Sequence, residues 1–482
     1  MGGVVSESFQ THEYLNISDR LDKNHATKLY WSLSLMATIG GFLFGYDTAN
    51  IGSVLGFVPY HLSSFALGYL VAGTSLGAAI GAIASGPVTD KFGRKSLLII
   101  DAAIYAIGAL VSAFTINSTM LLFSRTLIGL AIGADSAIAT AYISEYAPKD
   151  RRGRLAILQQ WMITIGILLA YLVAIIIYKL VPHLASSFDW RLILGLGAIP
   201  AIIGLALRFR MPESPRWLLN KGHYEKLRRT LSILGIQVDL QDIKRAAAVA
   251  KSDPKPVKAK MSPGVKKALF IASIFMIFQQ ITGINIPFYY GPKILGPFFT
   301  HPHMTAVNSA VGGIEATVVL AVVNVAATYI GFHFIDKAGR KSLSRTGFAG
   351  MAVFMLLSAA SISFLTGSTK AILLVLSLSG FIIFFAFGVG GTGWIIQGEY
   401  FPTQVRGRMA ATVAFVDWIA NFVIIELFPV MKNNLGLMGT MIVFAILSIL
   451  AVVFISTKMP ETKGLSVEEI SVLFQNQAVG KQ

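Results

Sequence analysis

The sequence predicts an all-α membrane protein in which twelve transmembrane helices form two pseudo-symmetric bundles of six. Three observations support this fold class: an apolar composition, twelve segments of membrane-spanning length, and an internal repeat of about half the chain. The 482 residues are 54% hydrophobic and 13% charged, with a mean hydropathy of +0.66. Because soluble domains normally carry about 25% charged residues, we expect a protein embedded in a bilayer.

Each of the twelve apolar segments is long enough to cross a hydrocarbon core of about 30 Å as a helix. They lie at residues 30–58, 65–86, 96–114, 119–143, 155–178, 190–209, 268–295, 310–334, 346–366, 371–397, 409–430 and 436–457. The resulting organisation is an N-terminal tail (1–28), a six-helix bundle (29–210), a helical linker (211–266), a second bundle (267–458) and a C-terminal tail (459–482).

Basic residues predict the orientation. Lysines and arginines cluster in the loops after the second, fourth, eighth and tenth segments, at 91–95, 149–154, 337–341 and 406–408. The positive-inside rule places these loops, both termini and the linker in the cytoplasm, and we expect a multi-pass protein of the plasma membrane. The net charge of +16 is explained by basic residues that face the anionic lipids of the inner membrane surface, so no nucleic-acid partner is expected.

Reactive groups are sparse. The chain has no cysteine, and its eight histidines are dispersed without metal-ligand spacing. No nucleophile and base pair is recognisable. We therefore expect no metal, no cofactor and no enzymatic activity.

The chain repeats itself. Residues 90–96 (DKFGRKS) recur as 336–342 (DKAGRKS), and the Glu, Pro and Arg-Gly-Arg positions of 145–154 recur at identical spacing in 399–408. Pro-Glu after the sixth segment is repeated after the twelfth. All offsets are near 250 residues, which predicts two parallel six-helix repeats with a substrate site between them.

Charges of these signatures lie at the predicted cytoplasmic ends of helices. We expect an acid of one half to pair with an arginine of the other, forming a gate whose exposed pairs each contribute about 0 to 1 kcal/mol. The alternative is a plain positive-inside anchor. The candidate gate residues are Asp90, Arg94, Glu145, Arg152, Glu213, Arg216, Asp336, Arg340, Glu399 and Arg406.

One polar stretch, residues 278–290 (FQQITGINIPFYY), interrupts the seventh apolar segment. Gly283 and Pro287 loosen the helix, and interrupted helices near the bilayer midplane hold the substrate in many transporters. Gln280 and Asn285 offer paired donors and acceptors without charge, which suits a neutral polyhydroxylated ligand. In the alternative interpretation the amides join neighbouring helices and the tyrosines anchor the interface.

An ordered set of motifs resembles the sugar porter family of the major facilitator superfamily over nearly the whole chain. The set comprises residues 40–47 (GGFLFGYD), the repeated 90–95 and 336–341, Arg125, 142–145 (YISE), 212–218 (PESPRWL), 279–285, Gly398-Glu399 with Arg406-Gly407, and 460–464 (PETKG). The resemblance implies a twelve-helix, alternating-access transporter of a hexose or pentose, glucose-like, often by proton symport. Because one chain holds both halves, we expect a monomer.

The resemblance also implies residues that contact the sugar: Gln160, Gln279, Gln280, Asn285, Tyr289, Tyr290, Asn324, Trp394 and Trp418. For the two tryptophans, packing or an interfacial position is the alternative. The chain departs from the family at Ile167, at 391–393 (GTG), and at Asp417, which replaces an amide. We add Asp417 to the binding candidates; the departures leave the identity of the sugar open.

An acid within a span is costly and indicates function. The resemblance places Asp47 of the first span beside Arg125 of the fourth, and we expect Asp47 to carry the coupled proton. Alternatives are a structural ion pair in a facilitative uniporter, transport of another solute such as a polyol or a cation attracted by Asp417, and a sugar sensor, which we expect to need a longer cytoplasmic tail. No role is assigned to Asp135 or Glu315.

Overall fold

The structure is a computed structural model that describes residues 28–146, 152–252, 261–299, 304–402, 405–465 and 467–479. Within these ranges, the side chains of 144, 152–157, 246, 248–252, 332–338 and 467–468 are not described. The predicted gate residues Arg152 and Asp336 therefore lie outside the described side chains. The described part is built from helices.

The N-terminal half contains six spans. The helices are Lys28–Ala37 with Ile39–Val54 (first span), Ser64–Phe92 (second), Arg94–Ala113 (third), Ser118–Tyr146 (fourth), Arg152–Leu180 (fifth), and Trp190–Leu196 with Ala198–Phe209 (sixth). A 3-10 turn, Pro182–Leu184, and a π turn, Ala185–Asp189, precede the sixth span. Several helices extend beyond the predicted apolar segments, because the membrane limits the apolar stretch and not the hydrogen-bonded helix.

The C-terminal half contains the other six spans. The helices are Pro263–Ile281 with Ile286–Tyr289 and Gly291–Leu295 (seventh), Ala306–Ala338 (eighth), Arg340–Phe364 (ninth), Gly367–Phe385 with Gly391–Glu399 (tenth), and Arg406–Lys458 (eleventh and twelfth). The 53-residue stretch exceeds what one crossing needs, and Gly436 breaks it with φ 69° and ψ 173°. The break falls at the predicted boundary between the two segments, which agrees with twelve spans.

Small residues let the helices of the N-terminal half approach closely. A Cβ on Gly129 or Gly133 would lie 1.9 Å from the carbonyl oxygen of Thr74 or Ala78 in the second span. Without a hydrophobic driving force between helices in lipid, such close backbone contact is a main source of their association. The glycines therefore fix the second and fourth spans against each other.

The halves meet along several pairs of helices. The second span packs on the eleventh, the fifth packs on the eighth, and the first contacts the seventh. Linker helices Pro215–Lys221, Tyr224–Ile233 and Leu240–Ser252 pack beneath the N-terminal half through Leu218, Leu227 and Ile243. The predicted C-terminal tail includes a helix, Val467–Val479, whose Gln475 accepts a hydrogen bond from the N–H of Gly264 at 2.9 Å.

A cavity between the two halves

The seventh span is interrupted at the predicted place. Its first helix ends at Ile281, and Gly283 adopts φ +88°, which is the left-handed region that favours glycine. A Cβ at Gly283 would lie 2.7 Å from the ring of Phe444. The break brings Gln280 and Asn285 together, and Asn285 Nδ2 donates to Gln280 Oε1 at 3.0 Å.

An amide network extends from this break across the interface. Asn285 Nδ2 also donates to Asn421 Oδ1 at 3.0 Å, and Asn421 Nδ2 donates to Ser75 Oγ of the second span at 3.1 Å. Gln280 Nε2 donates to Asp417 Oδ1 at 2.8 Å. Asp417 and Asn421 are four residues apart on one face of the eleventh span, so one helix presents both to the seventh.

The tenth span is also irregular. A π turn, Ala386–Gly390, separates its two helices, and Gln279 Nε2 donates to the carbonyls of Val389 at 3.5 Å and Gly390 at 3.4 Å. A Cβ on Gly393 would lie 2.7 Å from the Gln279 carboxamide. The glycine thus permits the tenth span to approach the glutamine, in the region where π turns often mark functional sites.

Both candidate tryptophans bridge the halves. Trp394 Nε1 donates to Gln160 Oε1 of the fifth span at 3.1 Å. Trp418 meets the Phe44 ring edge-on at 5.0 Å, and its Nε1 donates to Ser136 Oγ at 3.4 Å. Indoles positioned in this way offer flat apolar faces and satisfied N–H groups.

These side chains surround a cavity in which the empty space, including its open mouth, is about 660 Å³. Its described lining residues are Phe44, Ile132, Ser136, Gln159, Gln160, Ile163, Met276, Gln279, Gln280, Ile284, Asn285, Phe385, Trp394, Asp417, Trp418 and Asn421. Amides can bind hydroxyl pairs in both directions and aromatic faces can cover the C–H face of a ring. The chemistry suits a neutral, ring-shaped polyol.

Three of the predicted contact residues do not line the cavity. The Tyr290 hydroxyl donates to the Ile425 carbonyl at 3.3 Å, Tyr289 is fully buried, and Asn324 accepts from Thr328 at 3.5 Å within its own helix. The tyrosines follow the break, and the resumed helix turns them away. In the conformation described, these three side chains make other contacts, and their contact with sugar stays a prediction.

Sequence reasoning missed three polar lining residues, Ser136, Gln159 and Asn421. Two signals were present: Gln159 adjoins Gln160, and Asn421 follows Asp417 by about one helical turn. Whether such neighbours reach a cavity depends on how far each helix is rotated toward it, which hydropathy does not specify.

The acid and base of the predicted coupling site form a buried ion pair. Arg125 Nη1 and Nη2 each lie 2.6 Å from an oxygen of Asp47, and Arg125 Nε donates to the Leu70 carbonyl at 3.1 Å. The two side chains are 0% and 4% exposed. Thr74 Oγ1 donates to Asp47 Oδ2 at 3.4 Å. Asp47 lies one helical turn from Phe44, which contacts the cavity.

The motif at residues 90–95 of the N-terminal half, which the sequence predicts to be cytoplasmic, is held by two glutamates. Glu145 lies 3.0 Å from Arg94 Nη2 and accepts a hydrogen bond from Ser214 Oγ. Glu213 Oε1 accepts from the backbone N–H of Arg94 at 2.9 Å and of Lys95 at 3.2 Å, at the start of the third span. Burial raises the pKa of the Glu213 carboxyl, although these N–H donors act in the opposite direction.

The second signature repeats this arrangement. Arg340 Nη2 lies 3.0 Å from Glu399, and Glu461 accepts from the backbone N–H of Arg340 at 2.9 Å and of Lys341 at 3.1 Å. These arginine–glutamate pairs lie within one half, whereas the sequence predicted pairing across the halves. The sequence does not distinguish pairing within one half from pairing across the halves, because the helix ends of both halves lie at the same surface.

The remaining candidates have more local roles. Asp90 is exposed and lies 3.5 Å from Arg94, Arg406 Nε donates to the Phe401 carbonyl at 3.1 Å, and Arg216 lies in the linker helix Pro215–Lys221. Glu315 of the eighth span pairs with Lys179 of the fifth at 2.5 Å, which joins the two halves at their exposed ends.

Comparisons with known proteins agree with this geometry. The sequence model of the family described as sugar (and other) transporter matches residues 33–474. The chain is 34% identical over 442 residues to the glucose transporter GlcP of Staphylococcus epidermidis, covering 90% of this chain and 95% of that protein. It is 34% identical over 462 residues to the arabinose-proton symporter of Bacillus subtilis, covering 94% and 96%.

Among solved structures, the chain is similar to a partially occluded inward open conformation of the xylose transporter XylE from E. coli. The TM-score is 0.77 at 27% identity, covering 91% of this chain and 100% of that chain. The predicted fold class is confirmed, and so is the resemblance to sugar porters of the major facilitator superfamily. The chain belongs to the sugar transporter family.

Proposed function

We propose that this protein imports a monosaccharide, a glucose-like hexose or a pentose, across the plasma membrane together with a proton. The observation that carries the proposal is the cavity between the halves, where an uncharged amide network and two indoles meet beside a buried acid and base pair. The names of the relatives, a glucose transporter and an arabinose-proton symporter, support the same substrate class.

The Asp47–Arg125 pair supplies the proposed coupling. Removing one partner of a buried ion pair typically costs about 3 to 5 kcal/mol, because the other charge is left uncompensated. Protonation of Asp47 neutralises it, and Arg125 then keeps only hydrogen bonds such as that to the Leu70 carbonyl. Since Phe44 and Asp47 share one helix, a shift of the first span that accompanies protonation also moves the cavity wall.

The contacts support an inward-facing state. With the termini in the cytoplasm, the outer ends of the halves are joined where Tyr171 donates to the Phe288 carbonyl and Lys179 pairs with Glu315. A Cβ at Gly52 of the first span would lie 2.8 Å from the Phe288 carbonyl oxygen. These contacts close the cavity toward the outside, and they must separate for sugar to enter.

The proposed cycle follows from these elements. Asp47 accepts a proton from outside, sugar bonds to Gln280 and Asn285, and the halves rock so that the cavity opens inward. Arg94–Glu145 and Arg340–Glu399, each within one half, hold the cytoplasmic helix ends of that half together as the halves rock in this scheme. One monomer in the lipid bilayer contains both halves of the path, and no cofactor takes part.

Reconstitution tests the proposal. Purified protein in liposomes is given labelled glucose, galactose or xylose, with and without an inward proton gradient. We expect accumulation above equilibrium for one of these sugars and its collapse with a protonophore. Equilibration without accumulation supports a uniporter in which Asp47 is structural, and it contradicts the coupling.

Asp417 favours a second candidate, transport of another organic solute. Its carboxyl lines the cavity and bonds to an amide rather than to a basic side chain. If none of the three sugars moves, uptake of labelled polyols and small organic cations tests this candidate, and Asp417→Asn would weaken only the uptake of the cations.

A further inference from the structure

A second buried charge cluster lies in the N-terminal half, away from Asp47 and Arg125. It contains Asp101 of the third span, Asp135 of the fourth and Arg208 of the sixth, each at most 2% exposed. Arg208 Nη1 lies 2.5 Å from Asp101 Oδ1, and Arg208 Nη2 bonds to Asp135 Oδ2. Two carboxylates and one guanidinium give the fully ionised cluster a net charge of −1.

Among the described residues, Arg208 is the one basic side chain that bonds to the cluster. The other groups that face it are the backbone carbonyls of Met36, Ala37 and Leu98, which already accept from Arg208, the backbone N–H of Ala102 and the Gln159 amide. Lys95 bonds to the Phe209 carbonyl, and Tyr105, one turn beyond Asp101, donates to the Leu43 carbonyl. An isolated negative charge at such a buried position is strongly disfavoured.

The two carboxyl groups also face each other. They bond to the two terminal nitrogens of one guanidinium, and neither Asp101 Oδ2 nor Asp135 Oδ1 has a hydrogen-bond partner among the described residues. Two ionised carboxylates contain no hydrogen that could join them. One proton on either group removes the net charge and supplies the missing donor.

From this geometry we propose that Asp101, Asp135 and Arg208 form a second proton-binding site, which holds one proton in the conformation described. The proton is bound to an oxygen of one carboxyl group, which donates a hydrogen bond to the other carboxylate. Arg208 neutralises the remaining negative charge. The binding of a proton at this site does not depend on the proposed transport function. A role of this site in coupling proton and sugar movement does rest on the proposed function.

Position connects this site to the cavity. Gln159, within hydrogen-bonding reach of Asp135, lines the cavity, as does Ser136, the next residue along the fourth span. Asp101 is seven residues past Arg94 and Arg208 is one residue before the end of its helix. With cytoplasmic termini, the cluster lies between the Asp47–Arg125 pair and the inner surface, where it can hold a proton leaving the cavity.

Gly40 makes room for the cluster. A Cβ there would lie 1.9 Å from Asp135 Cγ and Oδ1. Only glycine fits at position 40 without a shift, because any side chain there would displace the Asp135 carboxyl. The first span, which carries Asp47, therefore packs directly on the proposed second site.

Infrared spectroscopy of the sugar-free, detergent-purified protein tests the proposal without any transport measurement. The signal is the carbonyl band of protonated carboxylic acids, identified by its shift in deuterated water at neutral pH. We expect Asp101→Asn and Asp135→Asn each to remove one carboxylic acid equivalent, because the acid that remains is ionised by Arg208. Glu315→Gln, which alters an exposed ion pair, is the matched control and removes none.

Removing the guanidinium gives the opposite sign. In Arg208→Met both carboxyls must be neutral, so the band gains one equivalent; this variant keeps the test decisive if an asparagine variant does not fold. A band that is unchanged in both asparagine variants, or lost in only one of them, contradicts a proton shared by the pair. If the band behaves as expected but no sugar accumulates in liposomes, the second proton site stands and the proposed coupled transport fails.

Discussion

Replacement of Gly93 by alanine tests how the motif at residues 90–95 is held together. Gly93 joins the second and third spans with φ 95° and ψ 164°, a region that is essentially restricted to glycine. A Cβ there would also lie 2.2 Å from Glu213 Oε2. The substitution therefore strains the backbone and displaces the carboxylate that accepts from Arg94 and Lys95.

The magnitude follows from these two effects. Backbone strain of this kind costs about 1 to 3 kcal/mol, and a hydrogen bond to a charged group contributes about 1.5 to 3 kcal/mol. Because Glu213 is only partly buried and water can replace some of the lost bonding, we expect a total loss of about 2 to 3 kcal/mol in the free energy of unfolding.

The assay is thermal unfolding of the purified protein in detergent. Gly86→Ala is the matched control, since Gly86 lies in the helix that ends just before Gly93 and a Cβ there meets no atom within 4 Å. We expect Gly93→Ala to melt clearly below that control, and Gly339→Ala to behave alike, because its Cβ would lie 2.6 Å from Glu461 Oε2. In a Glu213→Ala background, Gly93→Ala should cost only the backbone strain. Equal melting of Gly93→Ala and Gly86→Ala would refute the reasoning.

Two further predictions concern the cavity. Gln280→Ala removes the donor to Asp417 and the acceptor for Asn285, and we expect it to weaken sugar binding by about 1.4 kcal/mol, which is a tenfold higher half-saturating sugar concentration. Tyr290→Phe removes a hydroxyl that bonds outside the cavity, and it should leave the half-saturating concentration within about twofold of wild type. Equal effects of the two variants would contradict the placement of the two residues. Gly283→Ala should lower the initial rate of sugar uptake at equal surface expression, because the backbone φ of +88° and the nearby Phe444 ring both oppose a Cβ at this position. An unchanged rate would show that the break in the seventh span tolerates a side chain.

Much of the fold could be predicted from the sequence. Apolar length specifies the spans, and the 90–96 and 336–342 repeat specifies the two halves. The break at Gly283 was predictable because glycine, proline and amides interrupt an apolar stretch. The π turn at Ala386–Gly390 was not, since its residues (AFGVG) continue the apolar stretch and include no polar group that would mark a break.

The candidate site could be predicted only in part. Gln280, Asn285 and Trp394 were identified by motif and line the cavity. Asn421 was missed because helix rotation, which the sequence does not state, decides whether it faces inward. Asp135 was noted without a role, and neither Asp101 nor Arg208 was singled out, so the cluster was not recognised. A buried cluster drawn from three helices is a tertiary feature, visible only once the helices are packed.

The central claim is that sugar and proton move together through Asp47. The most direct measurement is the pH of a weakly buffered liposome suspension after sugar is added without any imposed gradient. Wild-type protein should make the external medium more alkaline as sugar enters, with a protonophore abolishing the change. Asp47→Asn should abolish it while still exchanging labelled for unlabelled sugar. Sugar entry without alkalinisation in the wild type, or undiminished alkalinisation in Asp47→Asn, would contradict the account.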